Sequence, residues 1–242
     1  MLSYESTWQQ VEEARPEGAV IGIGATEQHG PHLPLNMDCL SAEYLACGIA
    51  EAMDWYHLPT LSISASGEHM DFPGTLTLRS ETLIAVFRDI VESLRHHGIR
   101  RLAIVSGHGG NWFLKMMVRE FNLENPGTTV FLINTDRWFY PVLQEMTDDV
   151  TLHHAGEHET GIVMHLRPDL VVGPVPEDDS PDYGFDVLDL VQSRRLAVQG
   201  HWGYPSKASA ENGRRFLERA LEISVEYLRS RLDLVEELGG DA

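Results

Sequence analysis

The sequence has few cysteines and no long apolar run. Its 242 residues include two cysteines, Cys39 and Cys47, at a spacing that a helix would place two turns apart, too far for a disulfide. Unpaired thiols are typical of the cytoplasm, so we expect a cytoplasmic protein. No stretch approaches the roughly 18 apolar residues of a membrane helix, and residues 1–5 do not begin a signal segment. The sequence therefore predicts no membrane partner.

Positive charge is scarce as well. Acidic residues number 37 and basic residues 18, which gives a formal net charge of −19, and only Lys115 and Lys207 are lysines. Nucleic-acid binding requires clustered Lys and Arg, so this balance argues against a nucleic-acid partner. A high-salt host and a genome that favours arginine codons are equally consistent with this composition.

Several common catalytic patterns are also missing. The Gly22-Ile-Gly24 segment lacks the third glycine and the helix start of a dinucleotide-binding loop, and no GxxxxGK(S/T) phosphate loop occurs. The glycines after Ser106 are not accompanied by the GxSxG elbow of a serine hydrolase. Cys39 follows a histidine-containing loop and is an alternative nucleophile near His29, although packing within a helix explains it more simply.

Apolar runs alternate with helical patterns along the chain. Residues 19–24 form the short continuous run that is typical of a strand buried on both faces. Strands that alternate with helices predict βαβ units, and therefore an α/β fold with a mostly parallel sheet in one domain over residues 1–242. Expected strands cover residues 19–24, 58–63, 101–105 and 128–133, with an extended piece at 170–172 and a flexible excursion at 173–183. Expected helices cover residues 2–16, 39–55, 80–98 with Ser80 as the cap, a segment after 111 to about 124, 157–166, and a last segment from Ser206 or Ser209 to about 238.

Polar loops follow four of these elements, and their side chains match one another in kind. Because ligands bind at the carboxyl ends of the strands in open α/β sheets, we expect these loops to share one site. Carboxylates and imidazoles without thiolates suit Zn, Mn or Fe in a catalytic role. There are more of these residues than one ion can bind. Two ions joined by a bridging carboxylate would activate a water to hydrolyse amides or esters. The residues are Glu27, His29, His32 and Asp38 in the first loop, Glu68 and His69 in the second, His108 and Asn111 in the third, and His153, His154, Glu157, His158 and Glu159 in the fourth.

Five motifs, in order along residues 3–230, resemble those of the creatininase family of metal-dependent amidohydrolases. This resemblance implies a three-layer α/β/α fold, a binuclear metal centre and a homohexamer. The motifs are Glu27-x-His29-Gly-x-His32-Leu-Pro-x-x-x-Asp38, Phe72-Pro-Gly-Thr75, Gly107-His108-Gly-Gly-Asn111, His154-Ala-Gly-x-x-Glu159-Thr, and Gly203-Tyr-Pro-x-x-Ala208-x-x-Glu211-x-Gly213.

The resemblance also implies a ligand set, in which Asp38 bridges the two ions. Glu27 and His108 would complete the first ion's ligands, while His29 and a later carboxylate would complete those of the second. In creatininase that later carboxylate resembles a Glu two places after the third-loop His, and this place is Gly110 here. We therefore expect Glu159 to supply it, with Glu157 as the alternative, because residues two apart on a helix lie on different sides.

Roles for the other polar residues follow from the same resemblance. His154 resembles the family's proton-transfer histidine, and we predict that it acts with Glu159 as the catalytic pair. Glu68, His69 and Asn111 are predicted to bind substrate, with a structural role as the alternative for each and helix capping as the alternative for Asn111. His32 would either shape its loop or line the pocket.

The predicted function is hydrolysis of a linear or cyclic, non-peptide C–N amide bond in a small polar molecule. It would use two divalent ions, with zinc as the first choice and manganese or iron as alternatives. Two rivals within the family are a formamide deformylase of flavin or deazaflavin synthesis and a peptidase that trims a short peptide. Rivals of other classes are a metal-stabilised oligomeric binding protein without catalysis and a thiol hydrolase that uses Cys39.

Overall fold

The structure, a computed structural model, describes residues 1–134, 142–143, 154–180 and 183–238. Four parallel strands in these ranges form one sheet with the order β2-β1-β3-β4. The strands are β1 (Gly18–Ile23), β2 (Tyr56–Leu61), β3 (Arg101–Ser106) and β4 (Thr129–Asn134). The predicted α/β class with a parallel sheet is confirmed.

Helices lie between and after these strands. They are α1 (Trp8–Ala14), α2 (Met37–Met53), α3 (Ser80–His96), α4 (Phe113–Glu124), α5 (Glu157–Leu166) and α6 (Ala210–Glu237). Each corresponds to a helix predicted from the sequence. No helix in the described part of the chain is long and apolar enough to cross a membrane.

Side chains of the sheet alternate between two separate apolar cores. Val20 and Val105 pack with α2, α5 and α6 on one face, whereas Ile21 and Ile104 pack with α3 and α4 on the other. This alternation follows from the two-residue period of a strand. All six residues of β1 are buried, as its continuous apolar run predicts. The result is the three-layer α/β/α arrangement that the family resemblance implies.

Several local predictions differ from the structure. Strand β2 begins at Tyr56, two residues before the predicted start, and it tolerates Pro59 because it is the edge strand of the sheet. On its outer side only an isolated bridge between His57 and Ser3 is described. Ser80 is not a cap but the first helical residue, because Arg79 is the last residue with extended backbone (φ −73°, ψ 149°). The last helix starts after Ser209, whose hydroxyl accepts a hydrogen bond from the Asn212 N–H at 3.1 Å, so Ser209 rather than Ser206 is the cap.

The segment after α5 also differs from expectation. Residues Pro168–Leu170 form a 3₁₀ turn, so Leu170 belongs to a turn, whereas Val171 has the predicted extended backbone (φ −77°, ψ 118°). Farther on, Asp179 exchanges two backbone hydrogen bonds with Gly203, at 3.1 and 2.6 Å. The described part of the expected excursion at 173–183 is therefore anchored to a later segment.

Two glycines bring the start of α2 against the ends of the central strands. A Cβ atom on Gly24 would lie 2.5 Å from the Cys39 backbone nitrogen, and one on Gly107 would lie 2.6 Å from the Asp38 carbonyl oxygen. No other residue would permit these approaches, because real Cβ atoms do not come this close to backbone atoms. The two glycines thus place Asp38 beside the carboxyl ends of β1 and β3.

Candidate metal centre

The loops after β1 and β3 and the starts of α2 and α5 bring the predicted metal ligands together. Glu27 is 1% exposed, His29 1%, Asp38 2% and His108 6%. Glu159, in the first turn of α5, faces the same cluster with a side chain 15% exposed. Buried carboxylates and imidazoles at this density are rare unless a cation or hydrogen bonds compensate them.

Asp38 belongs to two groups of residues that could each hold a cation. Glu27, Asp38 and His108 form one group, and His29, Asp38 and Glu159 form the other, with one donor atom from each residue lying within 4.8 Å of the others. Asp38 Oδ1 lies 3.2 Å from His29 Nε2, and Asp38 Oδ2 lies 3.2 Å from His108 Nδ1. Each oxygen of this carboxylate therefore faces a different group. Glu157 belongs to no such group among the described residues.

Backbone carbonyls set the tautomers of two of these imidazoles. His29 Nδ1 lies 3.2 Å from the Glu27 carbonyl oxygen, and His108 Nε2 lies 2.8 Å from the Ala65 carbonyl oxygen. A carbonyl can only accept, so in the neutral ring these nitrogens carry the hydrogen. The lone pair then lies on His29 Nε2 and on His108 Nδ1, the nitrogens that face Asp38. This is the usual arrangement of a histidine that binds a metal.

Several polar atoms of the cluster lack a hydrogen-bond partner within the protein. They include both carboxylate oxygens of Glu27, Oδ2 of Asp38 and Nε2 of His29, all of them buried. Buried polar atoms in native proteins are normally paired, and a divalent cation in each of the two groups would satisfy them. The donor set of carboxylates and imidazoles suits zinc, manganese or iron.

The pKa values of several groups in the cluster are raised, which shows that the cluster favours added positive charge. Burial raises the pKa of Glu27 to about 8 and that of Glu159 to about 7. Burial alone would lower the pKa of His29, but the Asp38 carboxylate outweighs this effect and raises it to about 10. The pKa of His108 rises well above its usual value for the same reason, with Glu27 as the main partner. The metal-free cluster thus retains protons near neutral pH, and bound cations would replace them.

Glu159 is held by contacts at the start of α5. Its Oε2 accepts a hydrogen bond from the Ala155 N–H at 2.5 Å, and Ala155 has the unusual positive φ of 53°. The adjacent Thr160 hydroxyl lies 2.9 Å from His32 Nε2, which links α5 to the loop after β1. His32 is in none of the cation-binding groups of the described residues, and its contact with Thr160 connects its loop to α5.

His154 lies beside both groups. Its Nδ1 is 3.8 Å from Glu27 Oε1, and its ring is between those of His29 and His69, at centroid distances of 4.4 and 4.3 Å. Burial places its pKa well below the usual value, so the ring is neutral. His154 also forms a third possible ligand group with Glu27 and His29. His153, predicted in the same loop, lies outside the described residues.

Comparison with known proteins identifies the family. The family model described as "Creatininase: Creatinine amidohydrolase" matches residues 4–228. The chain belongs to the creatininase family. This finding confirms the relationship that the five motifs predict.

Individual members of the creatininase family are similar over most of their length. Creatinine amidohydrolase of Pseudomonas putida is 30% identical over 251 residues, which cover 93% of this chain and 95% of that protein. The mycofactocin precursor peptide peptidase of Mycobacterium ulcerans (strain Agy99) is 28% identical over 236 residues, covering 91% and 84%. A solved mutant creatininase described as Zn-Zn type has a TM-score of 0.82 and 26% identity, and the match covers 95% of this chain and 97% of that chain.

Gly110 is the position at which this member of the creatininase family departs from the expected ligand pattern. A Cβ atom on Gly110 would lie 2.4 Å from His108 Nε2 and 2.7 Å from Glu68 Oε1. The space is therefore filled, and a glutamate at 110 would displace both neighbours. Glu68 lies at this edge of the centre with a side chain 22% exposed, 3.9 Å from His108 Nε2.

Asn111 and His69, predicted to bind substrate, are both buried. Asn111 Nδ2 donates to the Ser106 hydroxyl at 3.3 Å, and its Oδ1 has no hydrogen-bond partner. Its side chain does not cap α4, because Trp112 occupies the cap position without a side-chain bond. His69 Nε2 lies 3.6 Å from Glu27 Oε1. Asn111 is thus bonded to Ser106 at the end of β3, and His69 lies beside the carboxylate of Glu27.

Sequence reasoning missed two residues next to the centre. Gln28 Nε2 lies 2.9 Å from both His69 Nδ1 and His154 Nε2, and the Ser193 hydroxyl lies 2.9 Å from His69 Nδ1. For Gln28 a signal exists, because it stands between two ligands in the first motif. For Ser193 none exists, since it belongs to no motif and reaches the site only through folding.

Proposed function

We propose that this protein hydrolyses a C–N amide bond, linear or cyclic, in a small polar molecule at a centre of two divalent ions. Membership in the creatininase family makes it a metal-dependent hydrolase of carbon–nitrogen bonds. The observation that supports two ions is the position of Asp38, which turns one oxygen to each of two ligand groups. Zinc is the first choice for both ions, with manganese or iron as alternatives.

The residues divide into ligands and a proton carrier. Glu27, Asp38 and His108 would hold one ion, and His29, Asp38 and Glu159 the other. Bound ions would polarise the substrate carbonyl and lower the pKa of the attacking water. His154 Nδ1 would accept a proton as the water oxygen bonds to the carbonyl carbon, and would return it to the leaving nitrogen as the C–N bond breaks. Burial keeps the ring neutral, so it has a lone pair that can accept a proton.

The substrate lies within the range of the family. Similarity to creatinine amidohydrolase and to the mycofactocin peptide peptidase is nearly equal, so it favours neither a cyclic amide nor a peptide. Gly110 and the filled space around it argue against creatinine itself. A formamide and a short peptide are therefore the same-fold candidates, and Glu68 and Asn111 are the residues that we propose to contact them.

We further propose a cytoplasmic homo-oligomer, with a hexamer as the expectation from the resemblance. An exposed apolar stripe supports association. Trp112 is 77% exposed, and Met116 and Leu123 on α4 are 59% and 75% exposed. Large apolar side chains that recur on one helix face in this way favour contact with another chain. Light scattering after gel filtration would measure the subunit number.

Removal of Asp38 tests the two-ion proposal. Asp38→Ala takes a donor from both ligand groups, so we expect zinc content and zinc-dependent turnover of an amide panel to be lost together. The panel comprises creatinine, an N-formyl arylamine and a tripeptide. Asp89→Ala, at an exposed carboxylate on α3, is the control and should retain both. Metal-dependent turnover by Asp38→Ala would end the proposal. If chelation changed only the oligomer size of the parent protein and no probe turned over, the non-catalytic binding protein would be favoured.

A further inference from the structure

The side-chain amide of Gln28 is buried beside the metal centre, and its orientation can be assigned. Gln28 is 5% exposed, and its Oε1 accepts a hydrogen bond from the Gly30 N–H at 3.0 Å. The opposite orientation of the amide would place two donors against each other at this point. The amide nitrogen therefore faces the imidazoles and donates to His69 Nδ1 at 2.9 Å. Its 2.9 Å approach to His154 Nε2 is not a hydrogen bond, because that ring nitrogen donates to the Gln28 carbonyl.

The main chain of Gln28 sets the tautomer of His154. His154 Nε2 lies 2.7 Å from the Gln28 carbonyl oxygen, which can only accept. Nε2 therefore carries the hydrogen and the lone pair lies on Nδ1. This nitrogen is 3.8 Å from Glu27 Oε1.

The side chain of Gln28 sets the same tautomer in His69, but there the protonated nitrogen faces Glu27. The amide nitrogen can only donate, so His69 Nδ1 must accept and Nε2 must carry the hydrogen. The Ser193 hydroxyl lies 2.9 Å from the same Nδ1 and can donate to it or accept from it, so it is compatible with this tautomer without setting it. His69 Nε2 is 3.6 Å from Glu27 Oε1. The two imidazoles are stacked at 4.3 Å with an interplanar angle of 25°.

We propose that Gln28 is a positioning residue that holds His69 and His154 in the same Nε2–H tautomer, with opposite ring nitrogens facing Glu27. One stacked ring then presents an N–H and the other a lone pair to the same oxygen of Glu27. The catalytic meaning of this arrangement rests on the proposed hydrolysis. The proton that leaves the attacking water has a single imidazole acceptor, His154 Nδ1, because His69 Nε2 already carries a hydrogen. The O–H bond of the water breaks as the N–H bond of His154 forms.

Gly200 gives an independent means of disturbing this amide. It has a φ of 87°, and a Cβ atom on it would lie 2.0 Å from Gln28 Oε1. Gly200→Ala would therefore displace the amide without removing it. Gly98 has nearly the same φ, 81°, with no atom within 4 Å of its Cβ position, so Gly98→Ala is a matched control for the backbone strain.

The tautomers can be measured in zinc-loaded protein with ¹⁵N-labelled histidine, because long-range ¹⁵N–¹H correlations distinguish protonated from unprotonated ring nitrogens. In the parent protein we expect His69 and His154 each to show a protonated Nε2. In Gln28→Met/Ser193→Ala, which removes both side-chain partners of His69 Nδ1, His69 should become a mixture of tautomers while His154 keeps its own. Gly200→Ala should change His69 in the same direction. Gln192→Met removes the donor of a bond to the Gly67 carbonyl, at 2.9 Å, without touching either ring, and should change neither.

Kinetics give the second measurement. Loss of a residue that orients a catalytic group typically costs 10- to 100-fold, so kcat should fall by roughly that factor in Gln28→Met/Ser193→Ala, with little change in KM and with two zinc ions retained. A single Nε2–H tautomer of His69 in that variant, or a protonated Nδ1 in the parent protein, would overturn the assignment. If the zinc-loaded parent turns over none of the three amides, the proposed function fails, whereas the NMR comparison still decides the role of Gln28. If Gly200→Ala does not fold, the Gln28 variant alone provides the test.

Discussion

The crossing of α5 and α6 sets the position of Glu159, and a single methyl group should disturb it. A Cβ atom on Gly213 of α6 would lie 2.0 Å from the Gly161 carbonyl oxygen of α5, and 2.2 Å from its carbonyl carbon. An ordinary contact begins at 3.4 Å, so in Gly213→Ala the helices must separate by about 1.4 Å. Both obstructing atoms belong to the main chain, and no side-chain rotation can relieve the contact.

The expected loss of stability follows from two opposing effects. Overpacking of a tight site costs roughly 1–3 kcal/mol, and a backbone obstruction places Gly213→Ala at the upper end. Alanine regains about 1 kcal/mol over glycine within a helix, which leaves a net loss of about 2 kcal/mol. For a protein of this size we therefore expect Tm to fall by roughly 4–8 °C. Gly48→Ala in α2 is the control, because its Cβ would meet only the movable end of the Leu221 side chain, at 2.6 Å.

Metal binding should also change when α5 and α6 separate. Glu159 is two residues before Gly161 on α5, so separation of the helices moves this ligand away from His29 and Asp38. The Glu27, Asp38 and His108 group comes from the strand loops and the start of α2, and it includes no residue of α5 or α6. Equilibrium dialysis with zinc should show two tight sites in the parent protein and one tight site in Gly213→Ala. An unchanged Tm together with two tight sites would refute the claim that this crossing positions Glu159.

The remaining predictions concern protons and thiols. Because the pKa values of His29 and Glu27 are raised to about 10 and 8 in the metal-free cluster, both groups hold protons near neutral pH and zinc must displace them. Apparent zinc affinity should therefore rise with pH, and calorimetry in two buffers of different ionisation enthalpy should show proton release, whereas a proton count of zero would contradict the assigned charges. The pKa of the Cys39 thiol is raised to about 12 by burial, and its Sγ donates to the Ala25 carbonyl at 3.2 Å, so only about one part in ten thousand is thiolate near pH 8. Iodoacetamide should leave Cys39 unlabelled in the folded protein and leave turnover intact, and loss of turnover on labelling would instead favour the thiol hydrolase.

The sequence predicted the ligand cluster because two simple rules apply to it. Parallel strands end at one edge of a sheet, so loops that follow β1 and β3 meet there, and the residue types in those loops are chemically specific. Helix geometry places Glu157 and Glu159 on different sides of α5, and of the two only Glu159 belongs to a possible cation-binding group of the described residues. The same reasoning could not reach Ser193, because its contact with His69 joins positions 124 residues apart that share no pattern.

Errors at element ends have a different cause. Ser80 has the side chain of a helix cap, yet Arg79 occupies that position, because the backbone is still extended at 79 and turns helical at 80. Such boundaries depend on small differences in local free energy, and a cap worth about 1 kcal/mol is easily overridden by packing. The long apolar stripe of α3 was predictable for the opposite reason, since burial of Leu83, Phe87, Val91 and Leu94 on one face involves far more free energy than a single cap.

Three backbone carbonyls orient three imidazole rings of the proposed centre. The carbonyls of Glu27, Gln28 and Ala65 each accept from one imidazole, and each leaves a lone pair directed toward the carboxylates. Because these acceptors are main-chain atoms held by the sheet and its loops, no side-chain rotation can reverse them. His69 is the exception, since only side chains fix its ring. The main chain thus orients the imidazoles that we assign to metal binding and proton transfer. The orientation of His69 depends on the Gln28 and Ser193 side chains, so this ring can change without loss of the ligand geometry.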